Sequence, residues 1–264
     1  MTAKELFQSG KLSQAVEEQL RMVRAKPTDV AARTFLFELL CFQGELDRAR
    51  KQLEVISQQN AESEWATQVY GNILAAEHLR RQLLSHGRQP EFLLDPPEFV
   101  RLHLDAINRL CESRPAAAVA CLSQSLEMRS PCPADVDGQA VEDFCDCDDL
   151  FAPLLEVFIL RDYVWVPWQQ IRELQITAPE RPRDLIWIPV RLTLTDGSSR
   201  SGYAPALYPE THLHSDDSVK LGRMTDWQSR EDGPVRGVGL REYLVGEGTR
   251  SILELRHASF AFES

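Results

Sequence analysis

Two spacings of apolar residues divide the chain. Up to about residue 130 they recur every three or four positions, the period of an amphipathic helix. Leu6 and Leu40, Gly10 and Gly44, Leu12 and Leu46, and Ala15 and Ala49 are each separated by 34 residues, the period of the tetratricopeptide repeat. "SGKLSQAVEEQL" and "QGELDRARKQL" read as two copies of its turn and second helix. The glycines permit the tight turn, the alanines let the paired helices approach, and Pro27 suits the start of the next helix. The second unit has Ala61 where the first has Pro27, a departure from the repeat. Trp65, Val69, Ile73, Ala76, Leu79 and Leu83 carry the helical spacing on until "SHG" closes it. Beyond the proline-rich "RQPEFLLDPP" two more helices are predicted, about 98 to 112 and 115 to 129, the second opened by Pro115.

"SPCPADVDGQ" reads as a linker from its Pro, Gly and Asp content, and after it the period changes. "YVWVPW", "LIWIPVRLTLTDG", "SRSGYAPALY" and "SILELRHASFAF" are β-branched and aromatic runs bounded by turn signals, hence strands. Asp196-Gly197 predicts a hairpin turn. Prolines 167, 189, 205 and 209 are expected at strand ends or edges, because proline cannot donate to a ladder. Short helices are predicted at about 148 to 159 and 167 to 174. The fold class expected is α+β: tetratricopeptide-like helical hairpins over 1–130, then a small α+β domain with a mostly antiparallel sheet over 131–264.

Composition narrows the function classes. A net charge of −11 argues against nucleic acid and anionic membrane surfaces as partners. No apolar run approaches the length of a membrane span, and "MTAKELFQSGKLSQ" lacks the pattern of an export signal, so a cytoplasmic location is expected. Six cysteines are too few for a disulfide scaffold in a chain of 264 residues. Cys41, Cys111 and Cys121 fall in predicted helices as small core hydrophobes, which leaves Cys132, Cys145 and Cys147.

"DFCDCDDLF", residues 143 to 151, is the densest candidate for chemistry. As zinc ligands Cys145 and Cys147 lack a second pair, and as a calcium loop the stretch lacks the required Gly and Glu. Surrounding aspartates would raise the thiol pKa values, which disfavours a catalytic thiol. The bland expectation is that Asp148 and Asp149 start a helix and that the acidic run from Asp135 to Asp149 is a solvated face. "THLH", with His212 and His214, reads as an exposed loop more readily than as a metal site. No nucleophile elbow, metalloprotease helix or phosphate loop is present, so no catalytic residue, metal or cofactor is assigned. Trp165, Trp168, Trp187 and Trp227 stand near Arg and Asp, an interface-like composition, although each taken singly is better read as core.

Six segments in order, "DFCDCDDLFAPLLEVF", "YVWVPWQQIREL", "PRDLIWIPVRL", "PALYPET", "LGRMTDW" and "GLREYLVGE", resemble the ImpE family, also called TagJ or SciE; the N-terminal segment is similar as well. The resemblance implies a non-enzymatic accessory protein of the bacterial type VI secretion system. Its implied partner is the N-terminal helix of the small contractile-sheath subunit, TssB, with an indirect link to the ATPase ClpV. Asp148, Asp149, Trp168, Arg183, Asp184, Asp226 and Trp227 lie in the family-like motifs and are the candidate partner-binding residues. The alternative, from a different class, is a metal-dependent hydrolase using Cys145, Cys147, His212 or His214 with neighbouring aspartates.

Overall fold

The computed structural model describes residues 1–59, 63–229 and 232–261, so Ala61 and the last predicted strand's Phe262 lie outside the described residues. The first half is a run of helices: α1 (Ala3–Gln8), α2 (Leu12–Ala25), α3 (Val30–Phe42), α4 (Leu46–Gln59), α5 (Glu64–His86), α6 (Glu98–Cys111) and α7 (Pro115–Met128). The repeat glycines sit in the α1–α2 and α3–α4 turns, Gly10 at φ 78° and Gly44 at φ 77°, a left-handed backbone that other residues adopt at a cost. Pro115 occupies the first turn of α7. Among the described residues no helix is long and apolar enough to cross a membrane.

The second half is β-rich and mostly antiparallel. Its strands are β2 (Ala134–Val136), β3 (Gln139–Val141), β4 (Cys145–Asp146), β5 (Leu154–Ile159), β6 (Asp162–Pro167), β7 (Ile171–Ile176), β8 (Trp187–Leu194), β9 (Ser199–Pro205), β10 (Thr225–Gln228), β11 (Arg236–Gly239), β12 (Glu242–Val245), β13 (Gly248–Ser251) and β14 (His257–Phe260). The first half adds β1 (Glu91–Phe92), parallel to β6, and a nine-stranded sheet runs β1-β6-β5-β9-β8-β7-β14-β2-β3. A three-stranded sheet, β13-β12-β4, and a two-stranded ribbon, β10-β11, complete it, with one short helix, α8 (Asp217–Lys220).

Side chains alternate across the large sheet, as strand geometry requires. Along β5, Leu154 and Phe158 join the core shared with the helices, whereas Leu155 and Val157 join the core shared with β12. The two halves therefore bury one continuous apolar layer. The β-rich half also closes over the helical hairpins. Arg223 donates to the Phe7 and Gln8 carbonyls at 2.7 and 2.9 Å, Arg183 pairs with Glu38 of α3, and the His212 ring lies against Gly44. The face of α3 and α5 that a helical array would offer to a ligand is thus covered by the chain itself.

Three expectations from the sequence are corrected. Residues 148–159 are not a helix: the run from Leu154 is a strand between β6 and β9, without apolar–polar alternation because both its faces are buried, its one charged residue, Glu156, included. Residues 167–174 form one 3-10 turn, Trp168–Gln170, and the start of β7. A bulge between Ile171 and Glu173 puts the buried Ile171 and Leu174 three apart, which imitates a helical spacing. The supposed linker is the β2–β3 hairpin, turned by Asp137 and Gly138 at φ 52° and 85°, the two-residue turn that Asp-Gly favours.

The prolines divide likewise. Pro167 and Pro205 end their strands, but Pro189 lies inside β8. Its missing donor falls just past the end of β7, and its carbonyl still accepts from Thr177 at 3.0 Å. The Asp196-Gly197 turn joins β8 to β9, with Gly197 at φ 84°.

Gly10→Ala is expected to destabilise the protein by about 1–2 kcal/mol, chiefly the cost of the left-handed backbone, because the added methyl would crowd only the flexible end of Arg223, at 3.3 Å. Gly44→Ala is expected to cost at least about 1 kcal/mol more, because the added methyl would meet the His212 ring at 2.3 Å. Urea denaturation of the two variants checks this; equal losses would contradict the close packing of the halves at Gly44.

Candidate functional site

The acidic motif folds inward. Asp146 and Asp148 are buried, so the run from Asp135 to Asp149 is not a solvated face at these positions. Nor does Asp148 start a helix. One of its oxygens accepts from the Leu150 amide at 2.9 Å, and the other accepts from Arg236 and the Gly237 amide at 2.9 Å each. Asp146 accepts from Arg241 at 2.6 Å, from the Tyr208 hydroxyl at 2.8 Å and from the Asp148 amide at 2.8 Å.

Arg241 reaches across to Glu156 of β5, which Arg80 of α5 clamps from the other side at 2.8 and 2.9 Å. Tyr163 donates its hydroxyl hydrogen to Glu156 and receives the Trp165 indole N–H at 2.6 Å. Burial opposes ionisation of Glu156, but Arg80 and Arg241 outweigh it and hold its carboxyl at about 2. Burial pushes Asp146 up to about 7 in spite of Arg241. The network joins α5, β4, β5 and β6, and its members are buried.

The thiols are unsuited to chemistry. Burial, with Asp143 beside Cys132 and Cys145 and Asp146 beside Cys147, raises these cysteines to about 12, 11 and 12 in chain order. Of the three helical cysteines only Cys41 is buried, and Cys111 is exposed. Among the described residues no three His, Cys, Asp or Glu side chains converge as a metal would require. His212 is wedged against Gly44, and burial lowers its pKa to about 4. His214 instead faces Asp226 at 3.3 Å.

The candidate partner-binding residues separate by burial. Trp168, like Trp165 and Trp187, is core, and its indole N–H donates to the Ala152 carbonyl at 3.0 Å. Buried Arg183 lies over the Tyr70 ring at 4.7 Å while paired with Glu38, and Asp184 accepts the Glu180 and Arg181 amides at 3.0 and 2.9 Å. These side chains and Asp148 bind the fold together and offer a partner little surface. Asp149, Asp226 and Trp227 remain exposed, the last with its ring 5.8 Å from Tyr208.

Sequence reading missed both the network and the open surface. A single Glu inside the apolar "LLEVFI" and a single Arg inside the apolar stripe of α5 were the available signals for Glu156 and Arg80. The open surface belongs to the same stripe. Ile73, Ala76 and Leu83 are buried, but Trp65, about two turns towards the N-terminus from Ile73, is 77% exposed. There α5 and the face of β8 and β9 bound a cleft of about 480 Å³ lined by Trp65, Val69, Ile73, Leu160 and Tyr203. Leu160, in the β5–β6 turn, is 75% exposed at φ 55°, a conformation that glycine normally supplies. Leu160 thus holds an apolar side chain in water at the cost of a disfavoured backbone.

Comparison with known proteins agrees with this architecture. Residues 138–259 match the ImpE protein family, and residues 6–68 match a tetratricopeptide repeat family. A relative from Pseudomonas aeruginosa, described as type VI secretion system accessory component TagJ, is 32% identical over 260 residues, spanning 98% of this chain and 91% of its own. The crystal structure of protein VPA1032 from Vibrio parahaemolyticus is similar in fold, with a TM-score of 0.91 over 99% of this chain and 98% of that one, at 24% identity.

Glu156→Gln is expected to cost about 3 kcal/mol or more in chemical denaturation, since both arginines lose their shared buried charge. Asp105→Asn, which breaks the exposed pair with Arg101, should produce no measurable loss. A second expectation concerns His103, buried on α6 at 2.9 Å from the Leu150 carbonyl, whose pKa burial lowers to about 4 from 6.5. The unfolded chain binds this proton more readily, so the contribution is full above pH 6.5 and falls as pH drops towards 4. In His103→Gln the stability-against-pH slope over that window should flatten by about 1.4 kcal/mol per pH unit. An unchanged slope would show that His103 titrates normally in the fold.

Proposed function

The chain belongs to the ImpE family, and on that premise we propose that it is a non-enzymatic accessory component of a type VI secretion system, an adaptor for the small subunit of the contractile sheath. The P. aeruginosa relative bears the accessory-component name over nearly its full length, which supports the system-level reading. The adaptor reading rests on the cleft beside α5. An amphipathic helix docks by laying anchors at i, i+3 or i+4, and i+7 into an apolar groove. Trp65, Val69 and Ile73 present such a groove wall, and tryptophan is the residue type that most often dominates interface energies.

The N-terminal helix of the TssB-like sheath subunit is the occupant we assign to this cleft. It would continue along the α5 stripe where the large sheet leaves it uncovered. Any link to ClpV then runs through the sheath. The non-enzymatic reading is supported by the polar network, whose carboxylates are buried and paired, and by thiols held in the protonated form. A cytoplasmic location is part of the same reading.

A peptide of the cognate sheath subunit's N-terminal helix, titrated calorimetrically, tests the assignment. Trp65→Ala is expected to weaken binding about ten-fold or more. Leu160→Gly should also weaken it while raising stability by about 1 kcal/mol, because glycine relieves the positive φ. Full affinity in both variants would move the helix to another face, and absence of binding to the wild-type protein would remove the adaptor reading.

A further inference from the structure

A second apolar surface shares no lining residue with the α5 cleft. It lies where α7 faces β4 and β12. The final helix of a stacked helical array ordinarily carries a polar outer face, which keeps the array soluble. α7 departs from this. Its sequence "PAAAVACLSQSLEM" is largely apolar, yet its buried residues are only Ala118 and Ser125. Leu126 is 62% exposed, Met128 43%, and Leu244 on β12, across the cleft, 42%. Val119, Leu122, Ala152 and Pro153 line the same cleft, of about 310 Å³.

Among the described residues, the charge around this cleft that is left without an ion pair is acidic. Asp149 lines it and is exposed; among the described residues its carboxylate accepts the Val235 amide at 2.7 Å and has Arg236 near it, without an ion pair. Glu127 and Glu142 are not in the lining but adjoin it: Glu127 follows the lining residue Leu126 on α7, and Glu142 precedes Asp143, which holds the lining residue Arg129; both are exposed and have no ion pair among the described residues. Among the described residues Arg129 is the one arginine in the lining, and its two terminal nitrogens are held by Asp143 at 2.8 and 2.5 Å. His103, the other basic side chain there, is buried against the Leu150 carbonyl. An apolar floor thus opens to solvent beside three carboxylates that have no ion pair among the described residues.

We propose that the α7 cleft docks a basic amphipathic helix of another protein, with an apolar stripe on Leu126 and Leu244 and flanking Lys or Arg on Glu127, Glu142 and Asp149. Charge decides the occupant. A second copy of this chain, which carries a net −11, would set the same carboxylates against one another across a two-fold interface. Nucleic acid and anionic lipid are repelled for the same reason. Opposite charges across such a rim steer encounter and set specificity, and their contribution weakens with salt. With the α5 cleft occupied as well, the chain would hold two helical segments at once, a bridge rather than a single dock.

A displayed library of helical peptides with randomised surface positions, panned on the full-length protein, tests this. Selection is expected to converge on apolar stripes flanked by Lys and Arg. Their affinity should fall about ten-fold or more with Leu126→Ser/Leu244→Ser and with Glu127→Lys/Glu142→Lys, and should persist in Trp65→Ala. All four altered side chains are exposed, so circular dichroism and the thermal midpoint should be unchanged in these variants. Binders without basic enrichment, binders lost only with Trp65→Ala, or no binders would each overturn the proposal. None of these results bears on the sheath-helix titration, so the two assignments fail separately.

Discussion

Glu156 is a carboxylate without water, and the rest of the architecture is arranged around keeping it ionised. It points from the large sheet towards the helices, where Arg80 meets it, and Arg241 meets it from the loop before β12. Neither arginine suffices geometrically for the other, because each also answers a second group: Arg80 the Leu207 carbonyl, Arg241 the buried Asp146. Buried ion clusters contribute little net stability compared with an apolar core, but an unpaired member is strongly unfavourable. The helical half, the large sheet and the small sheet are therefore tied through this cluster, and separating any one of them would leave a buried charge without its partner.

That restriction explains why a chain with tetratricopeptide units does not use them in the common way. The face of α3 and α5 is occupied by the chain's own Arg183, His212 and Trp187. Recognition has to be sought where the self-contact ends. It ends at the N-terminal turns of α5, whose stripe runs on past the sheet, and at α7, the last helix of the array. Both are clefts with apolar linings at the limits of the shared core, and they differ in their charge. An accessory component that joins parts of a larger machine has use for such edges, because a partner helix can extend the existing packing without disturbing it.

The motif most suggestive of chemistry turned out to be the most deeply structural. "DFCDCDDLF" supplies Asp146 and Asp148 to the buried network, Phe144 and Phe151 to the two cores, and Asp149 to the surface. Its cysteines are carried along by these neighbours, and burial beside aspartates keeps them protonated.

The helical hairpins, the period of 34, the Asp196-Gly197 turn, most strands and the family were legible in the sequence alone, because each is written in local spacing or in a short ordered motif. Two predicted helices were wrong for a shared reason: a strand buried on both faces has no alternation, and a bulge can imitate a helical spacing. The site was harder still. Arg80, Glu156 and Arg241 are separated by scores of residues and carry no mutual signal along the chain. Which end of the α5 stripe stays open depends on where the sheet stops covering it. Local spacing records which residues avoid water; which partner covers them, and which charges must meet, is decided by long-range packing, and only the tertiary structure contains it.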